Sequence, residues 1–312
     1  MVQDGPVTRA PCLNSTLKIN GFKYYLMATS LQKETLEKFK KQAQEVVSEV
    51  EYDELFGHQL SHGEFFDEKI YEQLLVKILT AYDWDYKTSV DNLEKILEWR
   101  KEFNPISAAF LENHDSKFDD IGFITVNSEA KPLEKITTWN LYGKVTDPKK
   151  IFGDPNAFLR WRVGLMEQSV QLLDFASQDN NYMVQVHDYK GVSLFQRDSE
   201  VKKTTKKVIE VFGNYYPELL SKKFFVNVPS IMMWVFKVIT AFVAEKTRNK
   251  FVVISNGQEL SKYLDPKQLG TEYGGKVSEG TKSLRFLFKE SKTKYTPYTA
   301  HLVGKSIASE ID

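Results

Sequence analysis

Between Asn181 and Gly191 the chain reads NYMVQVHDYKG. Strand alternation puts Met183, Gln185, His187 and Tyr189 on one face and Val184, Val186 and Asp188 on the other. An imidazole and a phenol two residues apart on one strand face can both address a single ligand atom or ring. As a tyrosinate, the phenol is a hard anionic oxygen donor suited to ferric iron, and tyrosine and histidine both serve as axial ligands in haem proteins. Against this stands the commoner fate of a strand histidine, a hydrogen-bonded core or surface group.

Two more side chains fit a buried ligand. On a helix predicted over 156–177, Arg162 falls in step with Phe158, Leu165 and Met166, whereas Arg160 groups with Glu167, Gln171 and Asp174 on the polar side. A guanidinium facing the interior requires an anion. A haem propionate, a lipid phosphate or an internal carboxylate such as Glu218 would each serve. Tyr82 keeps step with Tyr71, Leu75 and Ile78, so its hydroxyl is expected to be buried and in need of a partner, unless its ring merely caps a core.

Enzyme signatures are missing. The sequence holds no phosphate-binding loop, no G-x-G-x-x-G after a strand, no H-E-x-x-H and no G-x-S-x-G. His58 and His62 stand four apart, but FGHQLSHGEF has no helical pattern and reads as a polar loop. YGGK, Tyr273–Lys276, is too short to cradle phosphate and reads as a tight turn.

The elements that position these residues fall into two groups. Charged amphipathic runs predict helices over 31–50, 67–84 and from Thr88 or Ser89 to Phe103, before the turn-prone Asn104–Pro105. From about residue 119, strands over 121–126, 135–143, 183–189, 223–228 and 250–255 alternate with helices over 156–177, 200–216 and 231–246. This predicts an α/β fold with a mostly parallel sheet. The expected division is an extension over 1–30, poorly ordered and with Met27 as an alternative start, a helical lobe over 31–118 and an α/β lobe over 119–312.

The composition narrows the class. In 312 residues, 42% are hydrophobic and 27% charged, as in globular chains. Lys plus Arg and Asp plus Glu both number 42, so there is no basic field for wholesale nucleic-acid binding. Cys12 is the sole cysteine, which excludes an intrachain disulfide and suits a reducing compartment. The most apolar window, VNVPSIMMWVFKVITAFVA, is broken by Pro229 and Lys237 and falls short of the ~18 apolar residues of a membrane span.

Taken in order, LEWRKEFNP, VHDYKGVSL, NYYPELLSKKFFVNVP with the apolar helix that follows, KFVVIS and YGGK resemble the CRAL-TRIO lipid-binding family, over roughly residues 67–276. The resemblance implies a helical lobe, an α/β lobe whose sheet floors an apolar pocket, and an amphipathic gate helix. The gate would be Ile231–Lys246, rich in methionine and aromatic residues, although a core helix has the same apolar content. In members that transfer phosphatidylinositol, a gate-helix lysine and threonine and the glutamate of a PE motif hold the headgroup. Lys237 and Glu218 match two of these positions, and Trp234 stands at the third, where an indole cannot replace a hydroxyl. Met183 and Gln185 stand at the polar phosphatidylcholine positions, which disfavours a choline lipid.

The departures on the D-x-K-G strand, His187 and Tyr189, together with Tyr82, resemble a fungal CRAL-TRIO subgroup, non-classical phosphatidylinositol transfer proteins that also bind haem. That resemblance implies haem b with ferric iron ligated by Tyr189, His187 and Tyr82 as pocket groups, and Arg162 on a propionate. Tyr142, ending WNLYG, and Lys223, opening KFFVNV, are candidates for the pocket rim. The function so implied is binding and sequestration of haem, with exchange of phosphatidylinositol, rather than catalysis. The location implied is the cytoplasm, with peripheral association to endoplasmic reticulum and other membranes. A haem-free phosphatidylinositol transfer protein and a peroxidase-like enzyme using the same iron are the alternatives.

Overall fold

The computed structural model describes residues 29–177, 179–192, 199–229, 248–286 and 294–309. Most of the N-terminal extension and the gate helix, with Trp234 and Lys237, lie outside these residues.

Three amphipathic helices open the chain. Helix α1 (Ser30–Val50) begins with a capping box, Thr29 and Gln32 each bonding the other's backbone N–H, and buries Leu36, Phe39, Ala43, Val46, Val47 and Val50. Helix α2 (Glu68–Ala81) is capped by Asp67, which accepts from the N–H groups of Lys69 and Ile70. Helix α3 (Tyr86–Phe103) starts earlier than its Thr88–Ser89 pair suggests. Asp85 is the cap and accepts from the Thr88 N–H at 2.7 Å. Asn104, at φ 50°, ends α3, and its side chain caps the short α4 (Pro105–Phe110), where Pro105 occupies the first turn without a hydrogen-bond loss.

The segment read as a polar loop contains a small hairpin, Glu54–Leu55 (β1) against His58–Gln59 (β2). It separates the two imidazoles. His58 meets Phe175 edge-on at 5.5 Å, while His62 lies 4.3 Å from Phe66, so they do not form a ligand pair.

The main sheet is built from β3 (Gly122–Val126), β4 (Ile136–Leu141), β5 (Met183–Asp188), β6 (Leu220–Val226), β7 (Phe251–Val253) and β8 (Arg285–Phe286), in the order β7-β6-β5-β4-β3-β8. Strands β4 to β7 run parallel; β3 is antiparallel to β4 and β8 antiparallel to β3. The mixed α/β architecture agrees with the sequence expectation. Helices α5 (Pro148–Phe152), α6 (Pro155–Val170) and α7 (Ser199–Tyr215) follow the strands, and α8 (Pro297–Ser309) ends the described chain. Helix α6 stops at Val170, where 3₁₀-type bonds from Leu172 to Ser169 and from Leu173 to Val170 tighten the turn.

Each sheet face has its own core. Val184, Val186, Phe224 and Trp139 pack with Leu260, Leu264, Leu269 and Tyr273 on one side. Met183 on the other joins α1, α2, α3, α6 and α7 in a single cluster that spans the helical and α/β lobes. Helix α8 returns to the first lobe, the Tyr298 hydroxyl donating to Asp53, and just before it the Thr296 N–H donates to Gln171 at the end of α6 at 3.0 Å. No helix among the described residues is long and apolar enough to cross a membrane.

Candidate functional site

Parallel register carries the strand pattern across the sheet. Asn140, His187, Phe225 and Val253 form one row, and Thr138, Gln185, Lys223 and Phe251 the next. Because Trp139, Val184, Val186 and Phe224 fill the opposite core, both rows face the helices. The His187 ring lies 5.7 Å from Tyr142 and 5.5 Å from Phe225; Tyr189 lies 5.6 Å from Tyr142 and 6.4 Å from Phe225. Lys223 Nζ, on β6, sits 5.5 Å over the Phe225 ring and 5.8 Å over Phe251. Arg162 comes down from α6, within hydrogen-bonding reach of the Tyr142 hydroxyl and 5.1 Å over Phe212 of α7. Five sequence-predicted residues, Tyr142, Arg162, His187, Tyr189 and Lys223, thus meet in one place.

The turn after β5 fixes that meeting. Asp188 points to the other face, where it accepts from Tyr273 at 2.6 Å and Asn227 at 2.8 Å, and it also takes the Lys190 N–H at 2.8 Å. Tyr273 belongs to YGGK, a tight turn as expected, with Gly274 at φ 75°. The end of β4 is pressed against this loop: a Cβ on Gly143 would stand 1.7 Å from the Lys190 carbonyl oxygen. Glycine there lets Tyr142 and Tyr189 lie side by side.

The electrostatics are one-sided. Arg162 is 1% exposed, and its Nε and Nη1 have no hydrogen-bond partner among the described residues; Thr138 Oγ1 and Asn140 Oδ1, on the same sheet face, are likewise buried without partners there. Burial pulls the Arg162 guanidinium below its ordinary pKa, with phenols rather than carboxylates favouring its charge. Burial, reinforced by Arg162, pushes the Lys223 ammonium down to about 8. Burial also holds His187 well below the usual imidazole range, Lys223 and Arg162 adding repulsion, and raises the Tyr189 phenol, with Tyr142 contributing. A neutral imidazole and a neutral phenol therefore stand beside two cations, an arrangement that accepts an anion.

Arg100 shows what a satisfied buried arginine looks like. Its Nε and Nη2 donate to Glu54 at 2.9 and 2.8 Å, and Nη1 and Nη2 to Glu167 at 2.8 and 3.1 Å. The Tyr216 hydroxyl donates to Glu167 at 2.6 Å. Helical periodicity misplaces Glu167 on a polar side, because α6 lies between the sheet and the helical lobe and is buried continuously from Trp161 to Val170. Arg160 does reach outward, to Glu112.

Glu218 is not the counter-ion of Arg162. It pairs with Lys250 at 2.7 Å, while its backbone carbonyl accepts from Lys77 at 3.0 Å. Lys250, the first residue of KFVVIS, is thus a partner that the sequence reading missed. Tyr82 is the C-terminal cap of α2 and half-buried rather than buried; desolvation raises its phenol, and it takes no part in the ring contacts that join the other five residues.

A sheet of this topology, with polar and aromatic groups gathered at the ends of its central parallel strands, defines a ligand-holding α/β domain, and residues 133–275 match the family model described as the CRAL/TRIO domain. The chain belongs to the CRAL-TRIO family. It is 43% identical over 270 residues, 84% of this chain and 90% of the relative, to the phosphatidylinositol transfer protein SFH5 of Candida glabrata. To the protein of that name from Saccharomyces cerevisiae S288c it is 41% identical over 294 residues, 90% of this chain and 98% of the relative. A crystal structure of Sfh5, 41% identical, superposes with a TM-score of 0.84, covering 90% of this chain and 99% of that one. These relatives carry the name of a transfer protein, not of an enzyme.

Proposed function

We propose that this protein binds ferric haem b through Tyr189 and exchanges phosphatidylinositol between membranes as a peripheral, cytoplasmic carrier. The observation that carries the haem reading is the buried Arg162, with two nitrogens unpartnered, beside Lys223 in a cluster that has no carboxylate counter-ion among the described residues. The residues fit the group. Arg162 and Lys223 would take the propionates, Tyr189 the iron, and His187, Tyr142 and Phe225 would pack along the macrocycle. Bound there, haem would supply an iron centre biased to its oxidised state by an anionic oxygen ligand. Neutral His187 adds no charge; its Nε2 lies 3.5 Å from the Gln185 side-chain oxygen, to which it would donate, leaving Nδ1 as an acceptor.

Phosphatidylinositol enters through the names of the relatives and through Glu218. Its observed partner is Lys250, so this pair, with Lys237 beyond the described residues, is the headgroup candidate. A haem-free transfer protein, in which Arg162 and Lys223 hold the lipid phosphate, rests on the same unpartnered donors.

The absorption spectrum separates these readings. Purified protein, as isolated or after incubation with hemin, should show a Soret band and the charge-transfer features of ferric phenolate ligation, and Tyr189→Phe should lose the latter. A protein that stays colourless with hemin would remove the haem reading and leave lipid phosphate as the anion.

A further inference from the structure

The chain has equal numbers of acidic and basic residues, yet its charge is unevenly placed around the site. Exposed Lys190 follows Tyr189, and exposed Lys144 lies two residues after Tyr142; the backbone of Gly143 touches the Lys190 carbonyl, so these two lysines leave the sheet from one point. Helix α5 comes next and exposes Lys149 and Lys150. Helix α7 packs on it, Thr204 Oγ1 donating to the Phe152 carbonyl at 3.2 Å, and exposes Lys202, Lys203, Lys206 and Lys207.

Few acids among the described residues oppose them. Asp147 and Asp154 spend side-chain oxygens capping α5 and α6, and Asp115 is drawn on chiefly by Lys117 and less by Lys150. Glu210 pairs with Lys206 at 3.6 Å on the surface, a contact of small energy, and Glu200 is the other acid of α7. Among the described residues Lys207 meets a neutral partner, the Asn156 amide oxygen at 2.9 Å. Ile209, 45% exposed, adds an apolar group to the same helix.

The inner face of α7 is equally specific. Val208 and Val211 enter the core, and Phe212 lies under the Arg162 guanidinium. One helix therefore walls the anion site on one side and presents lysines to solvent on the other. Ligands of parallel α/β sheets enter at the carboxyl ends of the strands, which here are Leu141 and Asp188, the origin of this basic surface.

The geometry points to the surface formed by Lys144, Lys149, Lys150, Lys190 and the outer lysines of α7 as a docking face for an anionic lipid bilayer. It brings the strand-end site to the membrane. The occupant is a bilayer because the lysines are spread over separate elements as a diffuse positive field with an exposed isoleucine, which suits a charged plane rather than one phosphate. The inference rests on the carrier reading, and its test is separable from it.

The full chain is sedimented with phosphatidylcholine vesicles and with vesicles containing about a third phosphatidylserine, at low and at high salt. The variant carries Lys149, Lys150, Lys202 and Lys203→Glu; the control carries Lys33, Lys38, Lys41 and Lys95→Glu, all exposed on α1 and α3. Wild type and control should bind the anionic vesicles only, more weakly at high salt. With each lysine worth roughly fivefold near an anionic surface, the α5–α7 variant should fall by two orders of magnitude or more. Equal binding by variant and control overturns the inference, as does wild type that ignores phosphatidylserine. Hemin and phosphatidylinositol binding in solution should be unchanged in both variants, so a failed carrier reading would show there and not in the vesicle assay.

Discussion

Arg162 and Glu167 are both buried on helix α6, five residues apart, and Glu167 gives both its oxygens to Arg100. The nearest buried acid on the helix is therefore already occupied, and the Arg162 Nε and Nη1 donors are left for something else. One arginine is closed within the fold, and the other keeps two nitrogens without a partner among the described residues.

Removing the open arginine should stabilise the empty protein. Arg162→Met deletes an unpaired buried charge and keeps much of the side-chain volume, so the ligand-free form should gain about 1–4 kcal/mol in urea unfolding. Hemin or phospholipid affinity should meanwhile drop by roughly ten- to a hundredfold, the value of a charge-assisted hydrogen bond. A less stable Arg162→Met protein would mean that the guanidinium already has its counter-ion.

The closed arginine should behave oppositely. Arg100→Met leaves Glu54 and Glu167 facing each other without a cation, and should cost about 3–5 kcal/mol of unfolding free energy. Because Glu54 comes from the hairpin, Arg100 from α3 and Glu167 from α6, the loss should appear as lowered cooperativity between lobes, read by amide exchange.

Lys223 predicts a particular pH dependence. Its folded-state pKa of about 8 lies below the ordinary lysine value of 10.5, so between these the unfolded chain binds more protons than the folded one. Stability of the ligand-free protein should therefore rise with pH across that window, and the penalty should be fully present below about 8. Lys223→Met should remove this part of the slope, as should a bound anion, which restores the ammonium. Chemical denaturation at pH 7, 8.5 and 10 measures it.

The Glu218–Lys250 pair yields a selectivity test. Glu218→Gln should lower transfer of labelled phosphatidylinositol between vesicles by about tenfold, through loss of a charge-assisted hydrogen bond, and leave the hemin spectrum intact. Equal transfer by Glu218→Gln and wild type would remove this pair from the headgroup site.

Short-range pattern determined much of this protein. Period-two alternation in MVQVHDY placed His187 and Tyr189 on one face, and the 3.6-residue period turned Arg162 inward, because both depend only on the local direction of Cβ. The strand and helix alternation gave the α/β class for the same reason. Periodicity could not tell that both flanks of α6 are covered, which buried Glu167 as well as Arg162, nor that Tyr82 sits at a helix end. Nor could it pair residues distant in sequence. Tertiary register set His187 opposite Asn140 and Phe225 and put Lys223 beside Gln185, and the fold delivered Lys250 to Glu218 and Glu54 to Arg100. Which buried charge finds a partner is decided by packing between elements, and at Arg162 that packing supplies no carboxylate partner among the described residues.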